Sequence, residues 1–208
     1  TLKDSTLVKT LNTISKDSSY TNALKGQLYA KTAIKIAGDI EYYKGQIKGY
    51  LNLATAKIHL NEFDSAMVFA DQALHVSNKH HFEVLVVEST IVKGSVHTYT
   101  GEYAGASTEY FKAIEKAEKI HERHAIKGYA SLGHVFFVLG NSDKSKEYSK
   151  KGLRLGKKYK DTAVMLTSLN LLGLVEKREE HPELALAKFS EGLELARATN
   201  SIQRESQI

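Results

Sequence analysis

The sequence contains no cysteine and only one proline among its 208 residues. The lack of cysteine excludes disulfides, thiolate zinc sites and cysteine nucleophiles. The scarcity of proline, with 14 glycines at scattered positions, favours long helices over a β-rich fold. No apolar run approaches the roughly 18 residues that a membrane-spanning helix needs, so we expect no membrane contact from this segment. These absences predict an all-α chain.

Positive charge is concentrated in one short region, although the formal net charge of the chain is only +5. A solvated helix face is the simplest interpretation of such a run. A nucleic-acid surface is the alternative, and it is disfavoured because no ladder of aromatic residues accompanies the lysines. The lysines in question are Lys144, Lys146, Lys150, Lys151, Lys157, Lys158 and Lys160.

Small residues recur at intervals of 39 or 40 residues in two independent series that stay in step. The first series is Ala54, Gly94, Gly133 and Gly173, and the second is Ala66, Ala106, Ser145 and Ala185. A shared register of this kind indicates an internal repeat. We predict one repeat domain over residues 1–208, with two helices per unit and a degenerate first unit. The expected units are 7–46, 47–86, 87–125, 126–165 and 166–205.

Small side chains at fixed positions indicate close helix packing. Two helices joined by a short turn approach closely only where one side chain is small, and a bulky neighbour such as Leu53, Tyr110 or Phe189 then fills the adjacent groove. A single helix pair cannot cover its own apolar face, so we expect neighbouring pairs to stack into an α-solenoid.

The repeated pattern resembles the tetratricopeptide repeat (TPR) family over nearly the whole chain. The residues that carry the resemblance are Tyr50, Leu53 and Ala54 with Ala66, Ala70 and Ala73; Gly94 with Ala106, Tyr110 and Ala113; Tyr129, Leu132 and Gly133 with Ser145, Ser149 and Gly152; and Leu169, Leu172 and Gly173 with Ala185, Phe189 and Gly192. The resemblance implies antiparallel helix pairs in a right-handed superhelix. The units exceed the usual 34 or so residues and lack the closing proline. This longer form is similar to repeats of kinesin light chains, bacterial peptide-responsive regulators and the sensor portions of bacterial histidine kinases and transcriptional regulators.

Such a resemblance implies an interaction module, a sensing or dimerising part of a larger bacterial signalling regulator. The expected partner is a protein or peptide segment in the concave groove, with homo-oligomerisation as a further possibility. A free scaffold or adaptor is the alternative function, and nucleic-acid binding is the third. The resemblance to the sensor group implies that a membrane helix and an output domain follow residues 205–208, where another unit would begin. It also implies a periplasmic location, with a cytoplasmic location as the alternative.

The first helix of each unit lines the concave groove in this family. Its polar side chains could hydrogen-bond an extended peptide, or they could simply be solvated. The predicted groove residues are Lys48, Asn52, Thr55, His59, Ser95, Thr98, Tyr99, Lys127, Ser131, His134, Asn170, Lys177 and Arg178.

Other kinds of site find little support in the sequence. Asn12 and Asn52 match the asparagines of repeat proteins that clamp a C-terminal carboxylate, but Leu11 and Leu51 replace the clamp lysines. We therefore predict no binding of chaperone tails. The histidine pairs His80–His81 and His121 with His124 lack an evident third ligand, so we predict no metal site. The cluster Glu179-Glu180-His181 indicates helix-start electrostatics rather than catalysis, and we expect neither enzyme activity nor a cofactor.

Overall fold

The computed structural model describes the backbone of residues 2–205 and the side chains of residues 3–19 and 21–199. Within that range it consists of helices and short connections, without a β-strand. The sequence positions 206–208, where a further unit was expected to begin, lie outside the described residues. The helices are α1 (Leu2–Thr21), α2 (Ala23–Asp39), α3 (Tyr43–His59), α4 (Phe63–Lys79), α5 (Glu83–Tyr99), α6 (Tyr103–Ile120), α7 (Ile126–Val138), α8 (Ser142–Tyr159), α9 (Thr162–Arg178) and α10 (Pro182–Glu205).

Most connections between successive helices contain one residue in the left-handed conformation. A residue with positive φ directs the chain out of the helix and back along it. From α2 to α5, helices of 17 residues alternate with three-residue connections, so a helix pair there takes 40 residues. The left-handed residues are Glu41, Asn61, His81, Gly101, Gly140, Lys160 and Glu180.

The connection between α6 and α7 is different. It contains a 3-10 turn over Glu122–Ala125, which begins after His121 in an extended conformation. The ring nitrogen of His121 accepts a hydrogen bond from the backbone N–H of Arg123. This connection is also where the small-residue series advances by 39 rather than 40 positions.

The two helices of a pair bury different kinds of residue. First helices bury large apolar side chains on more than one face, as Ile47, Leu51 and Leu53 do in α3. Second helices bury a narrow stripe of small residues at spacings of four and three. In α4 this stripe is Ala66, Ala70, Ala73 and Ser77. Because these side chains are small, the second helix can lie close against its neighbours.

Close contact at the small residues confirms the predicted packing. A methyl group placed on Gly94 would lie 2.6 Å from the Tyr110 ring, and one on Gly173 would lie 2.5 Å from the Phe189 ring. The aromatic side chains therefore occupy the space that a side chain on the first helix would need. At Gly133 the added methyl would lie 2.5 Å from the Ser149 hydroxyl. We call these contacts the seam of each pair.

The helices form two compact units, Thr1–Ala113 and Ile114–Ile208. In the first, α1, α3 and α5 lie side by side, and α2 and α4 each pack against the two first helices that flank them. In the second, α7 lies beside α9, and α8 packs against both. The fold is an all-α repeat solenoid. Among the described helices, none is both long enough and apolar enough to cross a membrane.

The seam predicts opposite effects of adding one methyl group at two glycines. Gly94→Ala should lower the free energy of unfolding, because overpacking against buried Tyr110 costs about 1–3 kcal/mol and outweighs the helix propensity of alanine. Gly38→Ala is the matched control and should have the opposite effect on the free energy of unfolding, since its methyl group would meet only the Gln46 side chain at 3.5 Å. Urea denaturation of both variants measures the difference. Equal stability of the two variants would contradict the seam.

Candidate functional site

A cavity of about 760 Å³ lies within the N-terminal unit, Thr1–Ala113, where α1, α3 and α5 are neighbours. Three successive first helices thus contribute to one recess. Two of the predicted groove residues, Lys48 and Asn52, line it. The α1 residues that line it are Lys9, Asn12, Thr13, Lys16 and Asp17.

Two asparagines join the helices that line the cavity. The Asn12 side-chain amide is buried and donates a hydrogen bond to the Gly45 carbonyl of α3 (2.9 Å). Asn52 in turn donates to the backbone carbonyl of Asn12 (2.8 Å) and approaches its side-chain oxygen at 3.2 Å. These bonds satisfy polar groups between α1 and α3. They assign both asparagines to helix packing as well as to the cavity lining.

One wall of the cavity is apolar and aromatic. Val84 and Leu85 contribute to it from the first turn of α5, and Phe82 and Tyr42 from the residues that precede α5 and α3. The Lys44 ammonium lies 5.0 Å from the centre of the Phe82 ring, a cation–π arrangement. An apolar wall with few polar groups is typical of ligand sites.

The polar part of the cavity carries charges of both signs. Lys9, Lys16, Lys44 and Lys48 supply positive charge, and Asp17, Glu83 and Glu88 supply negative charge. Lys48 and Glu88 form an ion pair between α3 and α5. The ion pair is partly exposed, so its contribution to stability is small, and it holds two opposite charges in the lining of the recess.

The other predicted groove residues of the N-terminal unit have different surroundings. The Ser95 and Thr98 hydroxyls lie 3.3 and 3.0 Å from the Tyr110 hydroxyl on the second helix of their own pair. The Thr55 hydroxyl donates to the Leu51 carbonyl of its own helix. His59 is exposed, and the exposed Tyr99 ring stacks on Phe63.

The predicted residues of the C-terminal unit, Ile114–Ile208, are mostly at the surface. Arg178 is engaged, since its guanidinium donates to the Phe137 carbonyl (2.6 Å) and lies 3.8 Å from the centre of that ring. This contact ties α9 to the end of α7. Ser131 is half-buried, and Lys127, His134, Asn170 and Lys177 are exposed.

Sequence reasoning missed the α1 side of the cavity. In the first unit the small-residue series of the first helix is not clear, so no groove residues were predicted on α1. The 40-residue separation of Asn12 and Asn52 was a usable signal, because equivalent positions in adjacent first helices meet. The aromatic wall before α5 was missed for another reason, since Phe82 lies in a turn rather than on a helix face.

Most lysines of the basic segment are close to carboxylates. Lys146 contacts Glu176 (3.0 Å) and Glu179 (2.5 Å). Lys151 pairs with Glu147, Lys157 with Glu191, and Lys158 with Glu122. Carboxylates at these positions would repel phosphate groups, which disfavours a nucleic-acid surface.

Lys146 contacts two members of the one group of described residues whose side chains could converge on a metal ion. Glu176, Glu179 and His181 each bring a ligand atom within 4.8 Å of the others. The Lys146 ammonium contacts both carboxylates, so a fixed cation already offsets one of their two negative charges. Hydrogen bonding to Lys146 lowers the pKa of Glu176, and hydrogen bonding to Glu179 raises the pKa of Lys146.

One histidine of each pair noted in the sequence, His80 and His121, packs against a tyrosine or phenylalanine ring. His80 stacks between Tyr43 and Phe82, with ring centres 3.8 and 5.8 Å apart. The His121 ring meets the His124 and Tyr159 rings edge to face. These contacts give the rings a packing role.

Comparison with known families matches residues 59–196 to the family described as SusR N-terminal TPR domain. No curated protein sequence matches the chain. Repeat folds of this family are typically interaction scaffolds.

Solved structures with low sequence identity share the fold. BtubC (BKLC) from P. vanneervenii is 16% identical with a TM-score of 0.72, covering 96% of this chain and 83% of that one. The apo form of RapI is 18% identical with a TM-score of 0.67, covering 94% and 85%. A Rap protein complexed with competence and sporulation factor is 14% identical with a TM-score of 0.70, covering 93% and 66%.

The Lys146 contacts predict a pH-dependent contribution to stability. Because the pKa of Glu176 is lowered in the folded chain, its ionised form stabilises the fold above the ordinary carboxyl pKa. That contribution disappears as the pH falls through the folded-state pKa.

Lys146→Met should therefore destabilise the chain by about 1 kcal/mol at neutral pH, and the difference from wild type should shrink towards pH ~3. Thermal unfolding across this range measures it, with exposed Lys150→Met as the control. A pH-independent difference would contradict the role of the ion pairs.

Proposed function

Because the chain belongs to the SusR N-terminal TPR domain family, we propose that it is the ligand-sensing module of a larger signalling regulator. In this proposal a protein or peptide segment binds in the cavity of the N-terminal unit. The observation that carries the proposal is the recess shared by α1, α3 and α5, whose lining combines aromatic side chains with charged groups.

An extended segment fits the chemistry of the recess. Apolar side chains would pack against Phe82 and Leu85, and the lysines and carboxylates would pair with charges on the same segment. The Asn12–Asn52 bonds would hold the cavity lining in place before binding. A preformed lining reduces the entropy lost on association.

Binding in this recess would act on three helices at once. A ligand that contacts α1, α3 and α5 together can favour one arrangement of these helices over another, provided that its contacts differ between the two. Such a preference would be the signal passed to the rest of the regulator. The Rap protein solved with competence and sporulation factor has the same fold, which supports ligand binding by such repeats.

A stand-alone adaptor is the second candidate. The cavity fits an adaptor equally well, so the two functions differ in the response of the protein rather than in binding. A sensor should show altered hydrogen exchange in helices beyond the cavity lining when ligand binds. An adaptor should show protection confined to the cavity itself.

Filling the cavity tests the location of binding. Thr13 is exposed on α1 and lines the cavity, so Thr13→Trp should weaken binding of peptides selected from a random library by at least about tenfold. Thr32→Trp is the matched control. Thr32 is an exposed helical threonine on α2 whose hydroxyl likewise donates to the carbonyl four residues earlier. Fluorescence anisotropy with the selected peptides measures both affinities. Equal affinity for the two variants would refute the cavity as the binding site.

A further inference from the structure

A second cavity lies within the C-terminal unit, apart from the recess of the N-terminal one. Its volume of about 320 Å³ is at the lower end of the roughly 300–1,000 Å³ of small-molecule sites. Two connections form it: the 3-10 turn before α7 and the turn between α8 and α9. Every lining residue except Ile126 carries a polar group. The cavity therefore suits a small polar ligand.

Two cations in the lining are without an acidic partner. Within the part of the chain that the structure describes, neither the Arg123 guanidinium nor the Lys160 ammonium forms an ion pair. Lys157 and Lys158, which precede Lys160 on α8, each pair with a glutamate. The positive charge of Arg123 and Lys160 is therefore available to a ligand.

The acidic groups beside the cavity are already engaged. The Asp161 carboxylate accepts a hydrogen bond from the backbone N–H of Val164 in the first turn of α9 (3.1 Å). Glu122, which belongs to the 3-10 turn, accepts hydrogen bonds from the Lys158 ammonium and from the Tyr159 hydroxyl (2.8 Å). One aspartate against an arginine and a lysine leaves the lining with an excess of positive charge.

Thr162 adds a neutral donor to the lining. Its side chain is half-buried, and its hydroxyl makes no hydrogen bond to any described residue. On the same helix the Thr167 hydroxyl donates to the carbonyl four residues earlier (3.0 Å), as helical threonines commonly do. The Thr162 hydroxyl can instead donate to an oxygen of a ligand.

We propose that this cavity binds a phosphoryl group, carried either by inorganic phosphate or by a small phosphate ester. The planar Arg123 guanidinium holds two phosphoryl oxygens side by side, the Lys160 ammonium supplies a second positive charge, and the Thr162 hydroxyl supplies a further donor. A carboxylate has fewer oxygens and less negative charge to offer to these three groups, so it should bind more weakly.

A titration of the full chain with inorganic phosphate at low ionic strength tests for the site. We expect saturable shifts of the backbone amide resonances of Arg123, Lys160 and Thr162, with a dissociation constant on the order of 1 mM. No saturable shift at these residues up to about 20 mM phosphate would overturn the proposal. An acetate titration is the control, and equal affinity for acetate would overturn the choice of a phosphoryl group.

Two substitutions test the cations. Arg123→Gln and Lys160→Asn should each weaken phosphate binding about tenfold, because each removes one charge-assisted contact. Asparagine suits position 160, where the backbone is left-handed with a φ of 56°. Lys150→Gln, a change of an exposed lysine of α8 outside the lining, is the matched control and should bind phosphate like wild type. Equal weakening by all three variants would refute a defined site, since general positive charge would then account for the binding.

Glycerol phosphate distinguishes the two sources of the phosphoryl group. If the affinity of both probes falls in Lys160→Asn, the phosphoryl site is supported, and the probe that wild type binds more tightly identifies the source. Glycerol phosphate binding that Lys160→Asn leaves unchanged would count against the site.

Discussion

Contact at the seam is the interaction on which the rest of the fold depends. Gly94 and Gly173 leave room for an aromatic ring from the second helix, and that ring closes the pair. Where the second helix buries only small residues, as α4 does, the large apolar side chains come from the first helices beside it. Stacking follows, since a first helix with two apolar faces cannot remain at the surface.

The arrangement separates packing from recognition along each first helix. In α3, Ile47, Leu51 and Leu53 are buried, while Lys48 and Asn52 line the cavity. Adjacent positions on one helix therefore serve opposite purposes. The separation is incomplete at Asn52, which lines the cavity and also donates a hydrogen bond to α1. A substitution of Asn52 that altered ligand preference would therefore also remove a contact between α1 and α3.

The seam could be predicted from the sequence, and the cavity could be predicted only in part. Two series of small residues in one register suffice to place Gly94 against Tyr110, because the requirement for space is local. The direction of a polar side chain is not fixed by register alone. Thr98 occupies a first helix as Asn52 does, yet its hydroxyl lies beside that of Tyr110, within the pair. Side-chain hydrogen bonds of this kind depend on distances that a repeat pattern does not contain.

The turns between helices have a further consequence for how such a chain can change. Glu41, His81, Lys160 and Glu180 hold left-handed backbone conformations that cost side-chain-bearing residues on the order of 1 kcal/mol each, whereas Gly101 and Gly140 adopt them freely. Replacing such a residue by glycine would therefore stabilise the fold at a position remote from the apolar interior. A change of this kind could offset a destabilising substitution in the cavity lining, so that binding preference could diverge while the fold stays the same.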